Sequence, residues 1–205
     1  MKICINCKKK KLELVVSLGK QPLSGIFYPK KKLNLKKYSL DLFRCKKCKL
    51  VQLGEKAKTE RMFGESYEYS TSLSKLMINH IKKKVQYFKK KKFINNKSSI
   101  LDIGSNDGTF LNQFKNSNYL LGIDPSAEKF KNNYKKYINL IFNFFSRKNI
   151  NKDKKFDLVT SFAMFYDVTD PNLFCSEIYN ILKKDGIWVL ELSYLPLMLK
   201  NLTYD

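Results

Sequence analysis

From Ser98 onward, short continuous apolar runs alternate with stretches whose apolar residues recur at helical spacing. The runs predict strands at 100–104, 119–123, 140–142, 156–162 and 187–192. Between them, helical segments are expected at about 107–114 and 172–182, and after Asp124-Pro125, where Ser126 can cap the start. The last helix closes at Lys183-Lys184-Asp185-Gly186, and Gly186 suits a turn. Continuous apolar strands alternating with helices argue for the α/β class, with a parallel sheet covered on both faces.

The preceding stretch, 56–97, has a different period. Leu73, Leu76, Met77, Ile81, Val85 and Phe88 fall on one side of a helix, which Ser72 or Ser74 can cap. His80, the single histidine, shares that stripe. It reads either as a core or interface histidine or as a base or ligand facing a cleft. Tyr67 and Tyr69 precede the helix on a loop, where their rings can pack or their hydroxyls can meet a ligand.

Residues 1–55 follow neither pattern and hold four of the five cysteines. Cys4 and Cys7 form one two-residue knuckle, and Cys45 and Cys48 form another. Four thiolates suit a closed tetrahedral zinc site of structural type. A disulfide pair fits a reducing compartment poorly. A redox C-x-x-C opens a helix after a strand, and neither copy does so clearly. Zn2+ is therefore the expected ligand. Cys175 falls in a helical pattern and reads as a buried small hydrophobe. The expected organisation is a zinc-binding domain at 1–55, a helical connector at 56–97 and a ligand-binding α/β domain at 98–205.

Composition adds limits. At 43% hydrophobic, the 205 residues can build a core, which excludes global disorder. No apolar run approaches the ~20 residues of a spanning helix. The N-terminus lacks the apolar region of a signal peptide, so a cytoplasmic location and no membrane partner are expected. Forty basic residues against 18 acidic give a net charge of +22. Only three of the basic residues are arginine, and only three residues are alanine, amid abundant Lys, Asn and Ile. That bias fits AT-rich codons, so nucleic acid is not the expected partner. The lysine runs at 8–11, 30–32 and 89–92 read as solvated surface, which would also suit a nucleotide-sugar diphosphate.

The chemistry centres on "LDIGSNDGTFL", 101–111. Ligands of a parallel sheet bind beyond the C-terminal strand ends. Gly104 and Gly108 there permit close approach of a ligand and positive φ. Asp124 ends the second strand about twenty residues on, where an acid can hold ribose hydroxyls. The dinucleotide fingerprint does not fit. Asn106 replaces its second glycine, and Asp107 places an acid where a pyrophosphate would sit. A nucleoside with an amino group, a sulfonium and no phosphate suits the loop, and S-adenosylmethionine meets that description.

With these motifs in place, the chain resembles the class I methyltransferases, and specifically the sugar C-methyltransferase family that carries an N-terminal zinc domain. "LDIGSNDGTFL" and "LGIDPS" carry the first part of that likeness. "CINC", "CKKC", "LGKQPLSGIF", "YEYSTSLSKLMINH" and "FYDVTDPNLFCSEIYNILKKDGIWVLELSYLPLML" extend it across essentially the whole chain, in order. The resemblance implies a Rossmann-like sheet and C-methylation of a nucleotide-linked keto-deoxysugar. A base removes the proton α to the ketone, and the enolate takes the methyl group. Asp102, Gly104, Ser105, Asn106, Asp107 and Gly108 would then surround the cofactor. Asp124 would hold its ribose, Phe144 and Phe145 would shape the adenine pocket, and Ser161, Phe162 and Ala163 would close the site. Tyr67 and Tyr69 would steady the enolate oxygen.

The sequence departs from that family at its end. A His-Glu-His segment that supplies the base, the last two strands and a C-terminal domain do not follow "LPLMLKNLTYD". The expectation is an incomplete enzyme: a fragment, a decayed gene product, or a split enzyme whose fifth strand pairs with a second chain. The alternative is a non-catalytic module that binds zinc and S-adenosylmethionine, or RNA or another partner. No N-P-P-Y-type signal follows the fourth strand, which argues against base N-methylation.

Overall fold

The structure is a computed structural model that describes residues 2–23, 35–63 and 67–203. Part of the "LGKQPLSGIF" motif and the lysine run at 30–32 lie outside those residues. The chain divides into two compact units. The first is Met1–Tyr69 with Thr169–Leu173, and the second is Ser70–Val168 with Phe174–Asp205.

The first unit holds a three-stranded antiparallel sheet in the order β1-β2-β3, with β1 at Leu12–Pro22, β2 at Lys37–Cys45 and β3 at Val51–Leu53. The β1–β2 register runs from Leu12↔Cys45 to Pro22↔Lys37 and slips twice, after Leu14 and after Ser17. A short helix, α1, spans Thr59–Phe63. The cysteine pairs form two turns of the same shape. The Cys4 and Cys45 carbonyls each accept the N–H of the residue four places on, Lys8 and Lys49. Both lysines take left-handed φ, at 56° and 65°.

The second unit opens with α2, Lys75–Lys90, capped by the Ser74 hydroxyl, which accepts the Met77 N–H. Then follow β4 (Ser99–Ile103), β5 (Tyr119–Ile123), β6 (Asn139–Ile141), β7 (Phe156–Phe162), α3 (Pro171–Ile181, whose first three residues count with the first unit), β8 (Leu182–Glu191) and α4 (Leu195–Asn201). The five strands form one parallel sheet in the order β6-β5-β4-β7-β8. β8 is an edge of that sheet among the described residues.

Strand alternation sorts the core into two layers. Ile100, Leu120 and Leu158 face the cluster that includes Ile81, Val85 and Phe88 of α2. Leu101, Leu121 and Val159 face the cluster that includes Phe174, Ile178 and Ile181 of α3. Each fully buried Leu or Ile contributes ~1.5–3 kcal/mol, and apolar contact on both faces explains why these strands carry no polar alternation. The chain passes from β4 to β5 on one side and later to β7 on the other. Strand order thus reverses between β4 and β7, and in open parallel sheets ligands bind beyond the C-terminal strand ends at such a point.

Several details differ from the sequence pattern. Leu73 and Leu76 are 81% and 82% exposed, so the buried stripe of α2 begins only at Ile81. Cys175 is exposed, because α3 buries the face of Phe174, Ile178 and Ile181. The segment after β4 is a turn with a single 3-10 stretch at Leu111–Gln113 rather than a helix from 107. Gly186 lies within β8, and a Cβ there would stand 2.7 Å from the Phe156 carbonyl oxygen. Its role is close approach of two strands, not a left-handed turn. Among the described residues no helix is long and apolar enough to cross a membrane.

Candidate functional site

At the crest of the sheet, β4 runs into Gly104, Ser105, Asn106, Asp107 and Gly108. Three of these five residues are left-handed, with φ of 76° at Gly104, 48° at Asn106 and 79° at Gly108. Gly104 is exposed, as is Ala163 beyond the end of β7. A Cβ on Gly104 would come 3.3 Å from the Met164 side chain, so the two strand ends lie side by side. Gly108 is buried and serves a different need. A Cβ there would meet the Tyr134 ring at 2.7 Å. Of the two glycines expected to admit a ligand, Gly104 is exposed at the strand end, whereas Gly108 makes room for the Tyr134 ring.

Tyr134 ties the loop from beneath. Its hydroxyl donates to the Asn106 carbonyl at 2.8 Å and lies 2.9 Å from the Ser105 hydroxyl. Burial pushes its ionisation well above the ordinary tyrosine range. Asp124, directly after β5, ties the loop from the side. Its Oδ2 accepts the Asn106 N–H at 2.9 Å, and its Oδ1 accepts the Ser126 N–H and hydroxyl, each at 2.6 Å. Asp124, not Ser126, therefore caps the 3-10 turn Pro125–Glu128. A carboxylate offers about four acceptor positions. Three are filled, two on Oδ1 and one on Oδ2, by hydrogen bonds among the described residues.

Asp107 is committed elsewhere. Its Oδ2 accepts the Ser70 hydroxyl at 2.6 Å and the Ser72 N–H at 2.7 Å. Its Oδ1 accepts the Thr109 hydroxyl at 2.7 Å and the Thr109 N–H at 3.1 Å. Burial alone would raise its pKa, but these donors outweigh burial and hold the carboxyl below the usual range. Asn106 Oδ1 likewise accepts the Thr71 N–H at 2.9 Å. The two side chains expected to face a ligand instead bind the segment Ser70-Thr71-Ser72. Asp102 also differs from expectation. It is 3% exposed and takes the Thr160 hydroxyl at 2.6 Å, and burial pushes its pKa up to about 7.

The remaining sequence candidates divide. Phe145 packs edge-on against Phe174 at 5.1 Å within the core, whereas Phe144 is half-buried and outside both core clusters. Ser161 is fully buried and accepts the Trp188 indole N–H at 2.8 Å. Phe162 lies edge-on to Phe110 at 5.3 Å. Ala163 is left-handed, at φ 50°, and donates its N–H to the Glu191 carbonyl at 2.9 Å. His80 is exposed, and its Nε2 lies 3.0 Å from both Glu191 carboxylate oxygens. Lys84 reaches the same carboxylate at 2.5 Å. Burial would raise the Glu191 pKa, but Lys84 and then His80 hold it below the usual carboxylate range. In the first unit, Tyr67 and Tyr69 stand 6.3 Å apart, with Phe63 edge-on to Tyr67 at 5.3 Å.

The first unit also gathers its four cysteines. The Sγ atoms of Cys4, Cys7, Cys45 and Cys48 all lie within 4.8 Å of one another. Cys4 and Cys48 are 3.5 Å apart, and Cys7 and Cys45 are 3.6 Å apart. Tetrahedral zinc with Zn–S bonds of ~2.3 Å requires sulfurs ~3.8 Å apart, so the donor set fits. The Leu50 N–H draws the Cys48 thiol down to about 6, while burial pushes Cys4 up to about 11. All four tetrahedral positions are protein ligands, so zinc here is structural.

A family model described as "Methyltransferase domain" matches residues 73–203, and one described as "Putative zinc binding domain" matches residues 4–63. The chain belongs to the methyltransferase-domain family. The first match takes in the five-stranded sheet and its crest loop, and the second takes in all four clustered cysteines. Among solved structures, the PH0226 protein from Pyrococcus horikoshii OT3 is similar, at 17% identity and a TM-score of 0.53. The match covers 65% of this chain and 66% of that one. The plantazolicin methyltransferase BpumL, solved in complex with a pentazolic desmethylPZN analog and SAH, matches at 21% identity and a TM-score of 0.49. That match covers 61% of this chain and 49% of that one, so the chain spans about half the length of BpumL. A comparison with curated proteins returned no match.

Sequence reasoning missed five residues of this crest: Ser70, Thr71, Ser72, Tyr134 and Glu191. The run of three hydroxyl residues before a capped helix was a usable signal, since such side chains seek acceptors. Nothing local marks Tyr134 or Glu191. Their partners lie 28 and 111 positions away.

Proposed function

We propose that the chain holds S-adenosylmethionine at the crest and belongs to an enzyme that methylates carbon in a nucleotide-linked keto-deoxysugar. The observation that carries the first half is the exposed pair of strand ends at Gly104 and Ala163 together with Asp124, whose Oδ2 accepts one bond among the described residues where its Oδ1 accepts two. A ribose hydroxyl can donate to Oδ2. Gly104 is exposed and has no side chain to stand in the way of the cofactor, and half-buried Phe144 is the aromatic side chain for its base. The bound cofactor supplies an electrophilic methyl group on sulfur. The chain's own part is to orient that group, keep the crest loop rigid through Tyr134 and Asp124, and present a proton acceptor.

The sugar half rests on the ordered motifs shared with the sugar C-methyltransferases. That resemblance gives Tyr67 and Tyr69 the enolate oxygen. His80 is the one imidazole in the chain and the proposed proton acceptor. The reading is tested by saturation-transfer NMR on the zinc-loaded chain with S-adenosylhomocysteine. Nucleoside-diphosphate keto-deoxyhexoses are expected to show contact that is lost when the ketone is reduced. Equal signals with and without the ketone, or none, would remove the sugar substrate. Salt-sensitive RNA binding in their place would favour the module alternative.

A further inference from the structure

His80 and Glu191 are 111 positions apart, yet they meet at the crest end of the sheet. Glu191 is the last residue of β8 and is in register with Phe162, the last residue of β7. Its carbonyl holds the Ala163 N–H, and Lys84 lies 5.7 Å over the Phe162 ring. The cluster therefore borders the wall that ends in Ala163 and Met164, beside Gly104.

The contact is one-sided for the imidazole. Among the described residues only Nε2 is engaged, at 3.0 Å to each Glu191 oxygen. An ionised carboxylate can only accept, so a neutral ring must carry its proton on Nε2. Nδ1 then carries the lone pair. The His80 side chain is 44% exposed, so the ring is open to solvent and to a ligand. Lys84, from the same helix, keeps Glu191 anionic by direct contact at 2.5 Å. A carboxylate that fixes one imidazole nitrogen and frees the other is the arrangement by which proton-transfer histidines are held in a working tautomer.

We propose that Glu191 is a positioning residue that holds the Nε2 proton of His80 and leaves Nδ1 as the nitrogen that takes a substrate proton at the crevice. In that step the substrate C–H proton passes to the Nδ1 lone pair, and the C–H electron pair stays on the substrate as its enolate. The imidazolium that results carries both protons, one of them facing the Glu191 carboxylate. This rests on the reading of the crest as the cofactor site, and it adds which nitrogen acts and what selects it.

A single histidine makes the test direct. The ring 15N shifts of the zinc-loaded chain at a pH where the imidazole is neutral report the tautomer. The wild type is expected to show a protonated Nε2 and a bare Nδ1. Glu191→Gln is expected to give a mixture of tautomers, and Lys84→Met is expected to keep the wild-type pattern because the His80 contact remains. S-adenosylhomocysteine is then added, with binding followed by calorimetry on the same sample. A shift of the His80 ring signals on saturation is expected. A bare Nε2 in the wild type, or an identical tautomer ratio in Glu191→Gln, would overturn the positioning role. Ring signals that stay fixed while calorimetry records binding would overturn the placement beside the cofactor. Absence of binding would count against the cofactor reading itself, whatever the tautomer.

Discussion

The Ser70 hydroxyl donates to Asp107 Oδ2 at 2.6 Å, across 37 positions of chain. Both groups are buried. With the Ser72 N–H on the same oxygen and the Thr71 N–H on Asn106, the segment Ser70-Thr71-Ser72 is bound to the loop after β4. Removing that donor leaves a buried carboxylate short of one bond. Bonds to a charged group are each worth ~1.5–3 kcal/mol. Ser70→Ala is expected to destabilise the second unit by about 2 kcal/mol, read from denaturant midpoints. Its loss of stability should also depend on pH. The Asp107 carboxyl is held below its ordinary range, so its contribution is full above the unfolded value near ~4 and is lost as pH falls through the lower folded value. The gap between variant and wild type should narrow at low pH.

Asp102 has the opposite sign. Burial raises it to about 7, so between the unfolded value near ~4 and pH 7 the folded state binds more protons than the unfolded one. Its ionisation therefore costs stability as pH rises through that window. Asp102→Asn keeps an oxygen for the Thr160 hydroxyl and cannot ionise. Thermal melts should show the variant more stable than wild type at pH 8, by on the order of 2–4 kcal/mol, and nearly equal at pH 4.

Gly108 and Tyr134 form a coupled pair. Gly108→Ala places a Cβ 2.7 Å from the Tyr134 ring at a left-handed φ of 79°. A cost of about 2–3 kcal/mol is expected from strain and overlap together. Tyr134→Ala costs packing and the hydroxyl bonds to Ser105 and Asn106. The double variant should be less destabilised than the sum of the two, because the clash is gone. A double-mutant cycle in urea measures this coupling.

Removal of zinc should act on one unit. Chelation, or Cys45→Ser, removes the link between the two cysteine turns and leaves three short strands without their staple. Hydrogen exchange is expected to show loss of protection in β1, β2 and β3. Protection in β4, β5 and β7, buried in both core layers, should persist.

The sheet was largely legible in the sequence because its strands are apolar on both faces. The expected limits of β5 and β7 match the structure, and β4 and β6 differ by one residue. The cysteine cluster was legible from spacing alone. The segment after β4 was misread because its polar side chains are satisfied by distant residues. Asp107 reaches back to Ser70 and Ser72, and the chain there turns instead of coiling. Leu73 and Leu76 extended an apolar stripe that the fold leaves exposed. The Asp124 position was legible from its distance beyond the loop, but the role of Glu191 was not. Only the pairing of β8 with β7 brings it near the site.

The central claim is that a nucleoside seats its ribose against Asp124. Calorimetry on the zinc-loaded wild-type chain can compare S-adenosylhomocysteine with its 2′,3′-dideoxy analogue. The account predicts saturable binding of the first at one site and binding of the second weaker by roughly 10- to 100-fold, the worth of a hydrogen bond to a carboxylate. No binding of either by a folded chain, or equal affinity for both, would contradict it.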